Sequence, residues 1–163
     1  VADLLNPLIQ RASATATLQN RSWHGPNHWA AWTQAARPAA DAVMAEIVAN
    51  LLENAFRYSP PGCALGLKLL DHAICVWDAG PRIPPEEHDR IFQQGERGSS
   101  SIDRPGSGLG LSLARRLAES RGGSLHLHTE PQTLDADLPA QGNAFLLKLP
   151  ATEQEQAALN PGE

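Results

Sequence analysis

Two asparagines, Asn50 and Asn54, lie four residues apart inside an apolar stretch of the sequence. The apolar residues around them form two rows at helical spacing, which are Ile47, Leu51 and Ala55, and Val48, Leu52 and Phe56. Side chains four residues apart project from the same side of a helix, one turn above the other. Carboxamides weaken helices and cost free energy when they are buried without partners, so the pair predicts a functional site on this helix.

A glycine-rich turn further along the chain opens a second helix. Gly106, Gly108 and Gly110 are followed by apolar residues at helical spacing, beginning with Leu109 and Leu113. Glycines let a backbone approach a ligand closely, and the N–H groups at the start of a helix attract anions. The turn therefore predicts a phosphate-binding cradle, although glycine-rich turns are common and this one alone does not define a site.

One acidic residue, Asp78, ends the short apolar run 73–78, which we interpret as a strand. A carboxylate at that position can accept a hydrogen bond from an exocyclic amine of a ligand. The alternative is an acidic side chain that simply faces solvent at the end of a strand.

Together these segments resemble the ATP-binding domain of sensor histidine kinases. The resemblance consists of four boxes in the order of the family: the N box at 50–59, the first glycine box at 78–84, the F box at 91–97 and the second glycine box at 106–111. It covers the region from 40 to 150. These kinases form one branch of the ATPases that also include gyrase, the Hsp90 chaperones and MutL.

The resemblance implies a role for residues around the nucleotide base. Asp78 would receive the adenine amino group and select ATP over GTP, whose carbonyl would repel the carboxylate. Tyr58 would place its ring against adenine, with core packing as the alternative role. Gly80 would permit close approach to the base, and Ile83 would belong to the same nucleotide-binding set.

The resemblance also implies the residues that hold the phosphates and Mg²⁺. Asn54 would bind Mg²⁺ through its amide oxygen, and Asn50 would support the metal or the phosphates. Arg57 would direct its charge to the phosphates. The segment 95–107, rich in glycine and serine, would form a flexible ATP lid. The remaining phosphate-binding candidates are Arg97 and Arg104 from the lid, and the backbone of Gly106, Gly108, Leu109 and Gly110.

Two residues depart from the pattern of the family. Arg82 takes the place of the second glycine in the first glycine box, and Gly95 replaces the second aromatic residue of the F box. We expect Arg82 either to reduce the affinity for ATP or to contact the nucleotide.

The implied reaction is transfer of the γ-phosphoryl group of ATP to a histidine on a separate dimerisation domain. His88 is followed by an acid, as acceptor histidines are, but it lies just before the F box and we reject it. One alternative is a self-contained ATPase of the same superfamily, which is disfavoured because Asn50 stands where those enzymes carry a glutamate base. Another is a degenerate nucleotide-binding or sensing module, supported only by Arg82.

The elements predicted around the site form an α+β fold, a two-layer sandwich of a mixed sheet and a helical layer. Helices are predicted over 2–19, 39–58, 84–92 and 108–120, and strands over 64–70, 73–78, 124–129 and 144–149. A strand or two is also expected within 20–38, where Trp29 and Trp32 would help close the core. We divide the chain into an N-terminal helix and entry segment (1–38), an ATP-binding core (39–150) and a polar tail (151–163).

Composition and charge limit the other possibilities. The 163 residues suit one domain, and a net charge of −5 gives no basic surface for nucleic acid. Cys63 and Cys75 are expected to be free thiols. No apolar run approaches the about 20 residues needed to span a bilayer, and we expect a cytoplasmic domain.

The chain begins at Val1 rather than Met, and we expect it to be a fragment of a longer protein. The parent kinase can be membrane-anchored and is expected to be a homodimer, whereas this fragment is expected to be a monomer. Its expected partners are the dimerisation and histidine-phosphotransfer domain of the same protein and a response regulator.

Overall fold

The structure is a computed structural model, and it describes residues 2–25, 42–70, 73–93 and 110–148. Within these ranges the helices are α1 (Ala2–Leu18), α2 (Ala42–Tyr58) and α3 (Gly110–Ser120). The strands are β1 (Trp23–His24), β2 (Leu65–Leu70), β3 (Ala73–Asp78), β4 (Ser124–His128) and β5 (Asn143–Lys148). None of the described helices is long and apolar enough to cross a membrane.

The described strands form one mixed sheet in the order β1-β2-β3-β5-β4. β1 runs parallel to β2, and the other neighbouring pairs are antiparallel. In this register Asp78, at the end of β3, lies between Leu65 of β2 and Asn143 of β5. The predicted two-layer α+β fold is confirmed, with β3 in the centre of the sheet.

The main core fills the space between the helices and one face of the sheet. The buried residues of α2 are Met44, Ile47, Val48, Leu51, Leu52 and Ala55, which include most of the two predicted apolar rows. They belong to one cluster with Ile74 and Val76 of β3 and with Leu5 of α1. Full burial of such an aliphatic side chain contributes about 1.5–3 kcal/mol, so this face holds α2 firmly on the sheet.

The opposite face of the sheet is covered by the segment between β4 and β5. Leu138 packs there in a smaller cluster with Cys75 and Trp77 of β3, and Leu134 lies against it. Burial raises the pKa of the Cys75 thiol to about 12. Cys75 and Cys63 are both free, as expected.

Some predicted boundaries change in the structure. The helix predicted over 84–92 is replaced by two 3₁₀ turns, Pro85–Glu87 and Arg90–Phe92. Pro84 and Pro85 have no N–H group to donate, and the ring of His88 bonds back to the carbonyl oxygen of Ile83 at 2.9 Å, which favours short turns.

The strand expected within 20–38 is reduced to the two residues of β1 in the described part. The last strand begins one residue earlier than predicted, at Asn143. Trp29 and Trp32, the lid segment 95–107 and the tail 151–163 lie outside the described residues.

Candidate functional site

The asparagine pair lies on α2, on the side that faces the start of α3. A Cβ atom built on Gly110, the first residue of α3, would lie 3.8 Å from Oδ1 of Asn50. Nδ2 of Asn50 is buried, and it has no hydrogen-bond partner within the part of the chain that the structure describes. Asn54 is half-buried one turn further along α2. Since a buried donor without a partner costs about 1–3 kcal/mol, this amide is a group that a ligand can satisfy.

The donor chemistry around this pair suits a hard cation that is shared with a ligand. Among the described residues, no group of three or more His, Cys, Asp or Glu side chains could hold a metal ion. Amide oxygens such as those of Asn50 and Asn54 are suitable ligands for Mg²⁺, which usually keeps several waters and binds phosphate oxygens. The unpartnered Nδ2 of Asn50 and the amide oxygens of the pair therefore fit a Mg²⁺-phosphate group, which would offer an acceptor to the first and a hard cation to the second.

Asp78 is buried, with 7% of its surface exposed, so it is not a solvent-facing acid at a strand end. Its Oδ1 accepts hydrogen bonds from the backbone N–H of Gly80 at 2.9 Å and from Nδ2 of Asn143 at 3.4 Å. Burial raises the pKa of the Asp78 carboxyl, while the two hydrogen bonds and the charge of Arg21 oppose this rise. The carboxylate is thus desolvated but incompletely compensated, as is common in groups that bind a ligand.

Asn143 is a site residue that the sequence analysis missed. Its Oδ1 accepts from the N–H of Ile83 at 2.8 Å, and its Nδ2 donates to the carbonyl oxygen of Pro81 at 2.8 Å. Asn143 therefore ties the loop after β3 to β5 and, through its contact with Asp78, fixes that carboxylate in the same network. Only the pairing of β3 with β5 brings these residues together, and the sequence contains no local signal for it.

Two glycines allow the chain to pass closely around Asp78. A Cβ atom on Gly80 would lie 2.9 Å from Oδ1 of Asp78 and 2.9 Å from Cδ of Pro60. Gly142 has a φ of 153°, and a side chain there would collide with the carbonyl oxygen of Asp78. The chain is therefore closely packed around Asp78 within the protein, and the approach of Gly80 to a base stays a prediction.

Arg82 extends toward the segment between β4 and β5. Its Nη2 lies 4.0 Å from Oε1 of Glu130, and both side chains are largely exposed. The neighbouring Ile83 is half-buried against the main core. A surface ion pair of this kind contributes about 0–1 kcal/mol to the stability of the fold. It shows that Arg82 has a partner on this segment.

The end of α2 contributes two further candidates. Nη2 of Arg57 pairs with Oε1 of Glu53 at 2.8 Å along the helix, and Tyr58 is the half-buried last residue of α2.

In the F box, the ring of Phe92 packs edge-on against Phe145 with 6.0 Å between ring centroids. The guanidinium of Arg115 on α3 lies 4.3 Å from the centre of the Phe92 ring, so the F box anchors α3.

The remaining candidates fall outside the described residues. These are Arg97, Arg104, Gly106, Gly108 and Leu109, together with Gly95. The structure therefore brings together the N box, the first glycine box and the start of α3, and the roles of the lid residues stay predictions.

The five-stranded mixed sheet and the helices packed on it define a two-layer α+β domain. The chain belongs to the family described as "Histidine kinase-, DNA gyrase B-, and HSP90-like ATPase", which matches residues 40–153. Within that family it is similar to the catalytic ATP-binding domains of sensor histidine kinases.

The similarity extends over most of this chain but only part of each relative. The sensor histidine kinase Hik2 of Thermosynechococcus vestitus is 36% identical over 160 residues, which cover 92% of this chain and 38% of Hik2. The adaptive-response sensory kinase SasA of Synechococcus sp. (strain CC9311) is 34% identical, over 74% of this chain and 32% of SasA. The chain thus spans less than two fifths of these relatives.

Solved structures agree with the fold. The mycobacterial sensor histidine kinase MprB matches with a TM-score of 0.63 and 26% identity, covering 88% of this chain and 93% of that structure. The nucleotide-free catalytic domain of the histidine kinase ThkA matches with a TM-score of 0.60, covering 90% of this chain and 94% of that domain. At 20% identity, the likeness to ThkA concerns the fold alone.

Proposed function

We propose that this chain binds Mg²⁺-ATP between α2, the loop after β3 and the start of α3. We further propose that its parent protein transfers the γ-phosphoryl group to a histidine on a dimerisation domain. The observation that carries the proposal is the buried Asp78 carboxylate, held at the end of β3 by Gly80 and Asn143. A desolvated acceptor in this position suits the amino group of adenine and disfavours the carbonyl of guanine.

The phosphates would lie toward the start of α3. Backbone N–H groups at a helix start favour anions, and Gly110 places that start beside Asn50. In this arrangement Asn54 supplies an amide oxygen to Mg²⁺ and Asn50 supports the metal or the phosphates. Arg57, which the structure pairs with Glu53, would contribute its charge from the end of α2. Bound Mg²⁺ would neutralise part of the negative charge on the phosphate oxygens.

The chemistry requires little covalent participation from this domain. In the transfer, an imidazole nitrogen forms a bond to the γ-phosphorus, the bond between that phosphorus and the β–γ bridging oxygen breaks, and ADP leaves. Positioning and charge neutralisation provide most of the catalysis of such reactions. Asn50 cannot accept a proton from water, so this domain favours an imidazole acceptor over rapid hydrolysis.

The partners follow from this reaction. The phosphorylated histidine would belong to a dimerisation and histidine-phosphotransfer domain of the parent protein, which would act as a homodimer and pass the phosphoryl group to a response regulator. The reaction would take place on the cytoplasmic side, where ATP is available. The alternative of a degenerate module rests on Arg82, which forms an exposed ion pair with Glu130, and a nucleotide-binding titration separates it from a competent kinase domain.

The proposal is tested by titrating Mg²⁺-ATP and Mg²⁺-GTP into the chain in a calorimeter. We expect saturable binding of ATP with clear discrimination against GTP, and weaker ATP binding when Mg²⁺ is removed by a chelator. Absence of ATP binding under all of these conditions would overturn the proposed function. Equal binding of ATP and GTP would remove Asp78 from base recognition.

A further inference from the structure

We propose that Arg21 is a positioning residue of the base site, which fixes the turn beside Asp78 and adds a positive charge to the surroundings of this carboxylate. The inference rests on the proposed function in assigning the base to this region. Arg21 lies outside the predicted boxes, in the short connection between α1 and β1, and the mechanism above does not use it.

The backbone delivers Arg21 into the protein at the end of α1. Asn20 has a φ of 54°, the left-handed conformation in which helices often end. The N–H of Arg21 then bonds to the carbonyl oxygen of Ala16 at 2.8 Å and closes the helix. The Arg21 side chain is 8% exposed, which is unusual for a charged residue and requires several partners.

One partner is local, since Nη1 of Arg21 donates to Oε1 of Gln19 at 3.4 Å, and the others belong to the end of α2 and the turn that follows it. Nε of Arg21 donates to the carbonyl oxygen of Cys63 at 3.1 Å, and Nη1 reaches that of Phe56 at 3.4 Å. Nη2 donates to the hydroxyl of Ser59, which in turn donates to the carbonyl oxygen of Ala55. One guanidinium group therefore ties the last turn of α2 to the segment that leads into β2.

This turn forms a wall of the base site. Cδ of Pro60 lies 2.9 Å from the Cβ position of Gly80, and Sγ of Cys63 lies 3.8 Å from it. The N–H of Ala79 also bonds to the carbonyl oxygen of Ala64 at 2.9 Å, so the turn and the loop after Asp78 touch directly. A displacement of the turn would therefore change the space available beside Asp78.

Arg21 also provides the favourable charge at Asp78. Within the described ranges, the charge that acts on this carboxylate is that of Arg21. Cys63 lies on the turn beside Gly80, and Arg82, further along the loop of Asp78, pairs with Glu130. From β5 the neighbour is the uncharged amide of Asn143. Burial raises the pKa of the Asp78 carboxyl, and the hydrogen bonds from Gly80 and Asn143 and then the Arg21 charge oppose that rise. Arginine keeps its proton even when buried, so the opposing charge is permanent.

The charge state of Asp78 determines which purine the site accepts. An ionised carboxylate accepts a hydrogen bond from the amino group of adenine and repels a carbonyl oxygen. A protonated carboxyl can instead donate to the carbonyl of hypoxanthine. Loss of the Arg21 charge would therefore relax base discrimination first at acidic pH, whereas a purely structural defect would weaken both nucleotides equally at every pH.

The first measurement needs no nucleotide. The ¹³C shift of the Asp78 carboxyl, assigned with Asp78→Asn, is followed against pH in the wild-type chain, Arg21→Gln and Arg21→Lys. We expect the midpoint to rise in Arg21→Gln, because loss of a nearby positive charge disfavours the carboxylate, and to stay near the wild-type value in Arg21→Lys. Arg11→Gln, which removes an exposed charge from α1, should leave the midpoint unchanged. A wild-type midpoint in Arg21→Gln would overturn the inference whether or not the chain binds ATP.

The second measurement compares the Kd of ATP with that of inosine triphosphate across the acidic range. In Arg21→Gln we expect the preference for ATP to fall at a higher pH than in the wild type. Arg21→Lys keeps the charge but loses the forked contacts to the turn, so it should bind ATP about tenfold more weakly at every pH. If Arg21→Lys binds ATP with wild-type affinity, the positioning role of Arg21 is overturned. Arg21→Lys tests this role even if Arg21→Gln fails to fold. If the wild type does not bind ATP but the Asp78 midpoint shifts in Arg21→Gln, the proposed function is rejected. The effect of the Arg21 charge on Asp78 would still stand.

Discussion

Asp78 and Asn50 show how single polar groups at this site differ from polar groups that only stabilise the fold. Burial disfavours the ionised form of the Asp78 carboxyl. The amide of Asn50 has a buried donor that lacks a partner among the described residues. Each arrangement costs free energy in the empty domain. Under the proposed function, a bound nucleotide with Mg²⁺ would offer a donor to Asp78 and acceptors to Asn50. Ligand binding would then offset these costs.

The first prediction concerns recognition of the base by Asp78. Asp78→Asn preserves the size of the side chain but replaces one acceptor oxygen by a donor, and it removes the charge. Because a hydrogen bond to a charged group contributes about 1.5–3 kcal/mol, we expect the Kd of ATP to rise by about one to two orders of magnitude. Calorimetry measures this, with the exposed Asp137→Asn as a control for loss of an acid. Unchanged affinity in Asp78→Asn would exclude Asp78 from the site.

The same variant gives a prediction about stability and pH. Since burial raises the pKa of Asp78, the folded state binds more protons than the unfolded state between the ordinary and the raised pKa. The contribution of this group to stability therefore falls as pH rises through that interval. Asp78→Asn lacks the step, so its free energy of unfolding should match the wild type at low pH and exceed it at neutral pH. Urea unfolding at several pH values tests this, and a less stable Asp78→Asn at neutral pH would contradict it.

Asn143 carries the next prediction at this scale. Asn143→Ala leaves the N–H of Ile83 and the carbonyl oxygen of Pro81 without their partner. We expect a loss of about 1–3 kcal/mol in the free energy of unfolding, together with weaker ATP binding because the loop around Asp78 is released. The exposed Gln141→Ala serves as the matched control in denaturant titrations. If both variants unfold alike, the network around Asn143 does not hold the loop.

The candidate residues of this site fall into two groups, those placed by local sequence patterns and those placed by contacts between distant segments. Asn50, Asn54 and Asp78 could be predicted because a helical period and a strand end are local patterns in the sequence. Asn143 and Arg21 could not, since each reaches its partners only after distant segments pair or pack. Nothing in the residues next to them distinguishes them from ordinary polar residues.

At the scale of elements, local patterns predicted most helices and strands but not their arrangement. The amphipathic period of α2 and the apolar runs of β2 and β3 match the structure closely. The order β1-β2-β3-β5-β4 depends on tertiary pairing, which the sequence does not display directly. The predicted helix over 84–92 was wrong because two consecutive prolines and the contact between His88 and Ile83 favour separate turns.

The F box provides a prediction about how elements are held together. Phe92 is 9% exposed and lies between the ring of Phe145 and the guanidinium of Arg115. Phe92→Ala would leave a cavity and remove both contacts, and we expect a loss of about 3–5 kcal/mol in the free energy of unfolding. Leu113→Ala on the exposed side of α3 is the control and should have a small effect. Chemical denaturation measures both, and a loss below that of Leu113→Ala would contradict the anchoring role of Phe92.

At the scale of the whole molecule, the features of the domain favour transfer over hydrolysis. The family that matches residues 40–153 includes gyrase-like and chaperone-like ATPases as well as histidine kinases. Asn50 occupies the position at which we expect those ATPases to carry a base, and an amide cannot act as one. The chain alone should therefore hydrolyse ATP slowly, and its activity should become visible only with an acceptor domain.

The last prediction tests this transfer with Asn54. A dimerisation domain carrying an acceptor histidine, added separately with γ-labelled ATP and Mg²⁺, should gain label from the wild-type chain. Asn54→Ala removes the proposed amide ligand, and Asn54→Asp adds a negative charge beside the triphosphate, so both variants should lose transfer. Gln10→Ala, which removes an exposed carboxamide from α1, should transfer normally. Thermal melting should show that all variants remain folded, because Asn54 is only half-buried. Retained transfer in either Asn54 variant would exclude the proposed metal ligand, and label that stays on the chain itself would make one of its own histidines an acceptor.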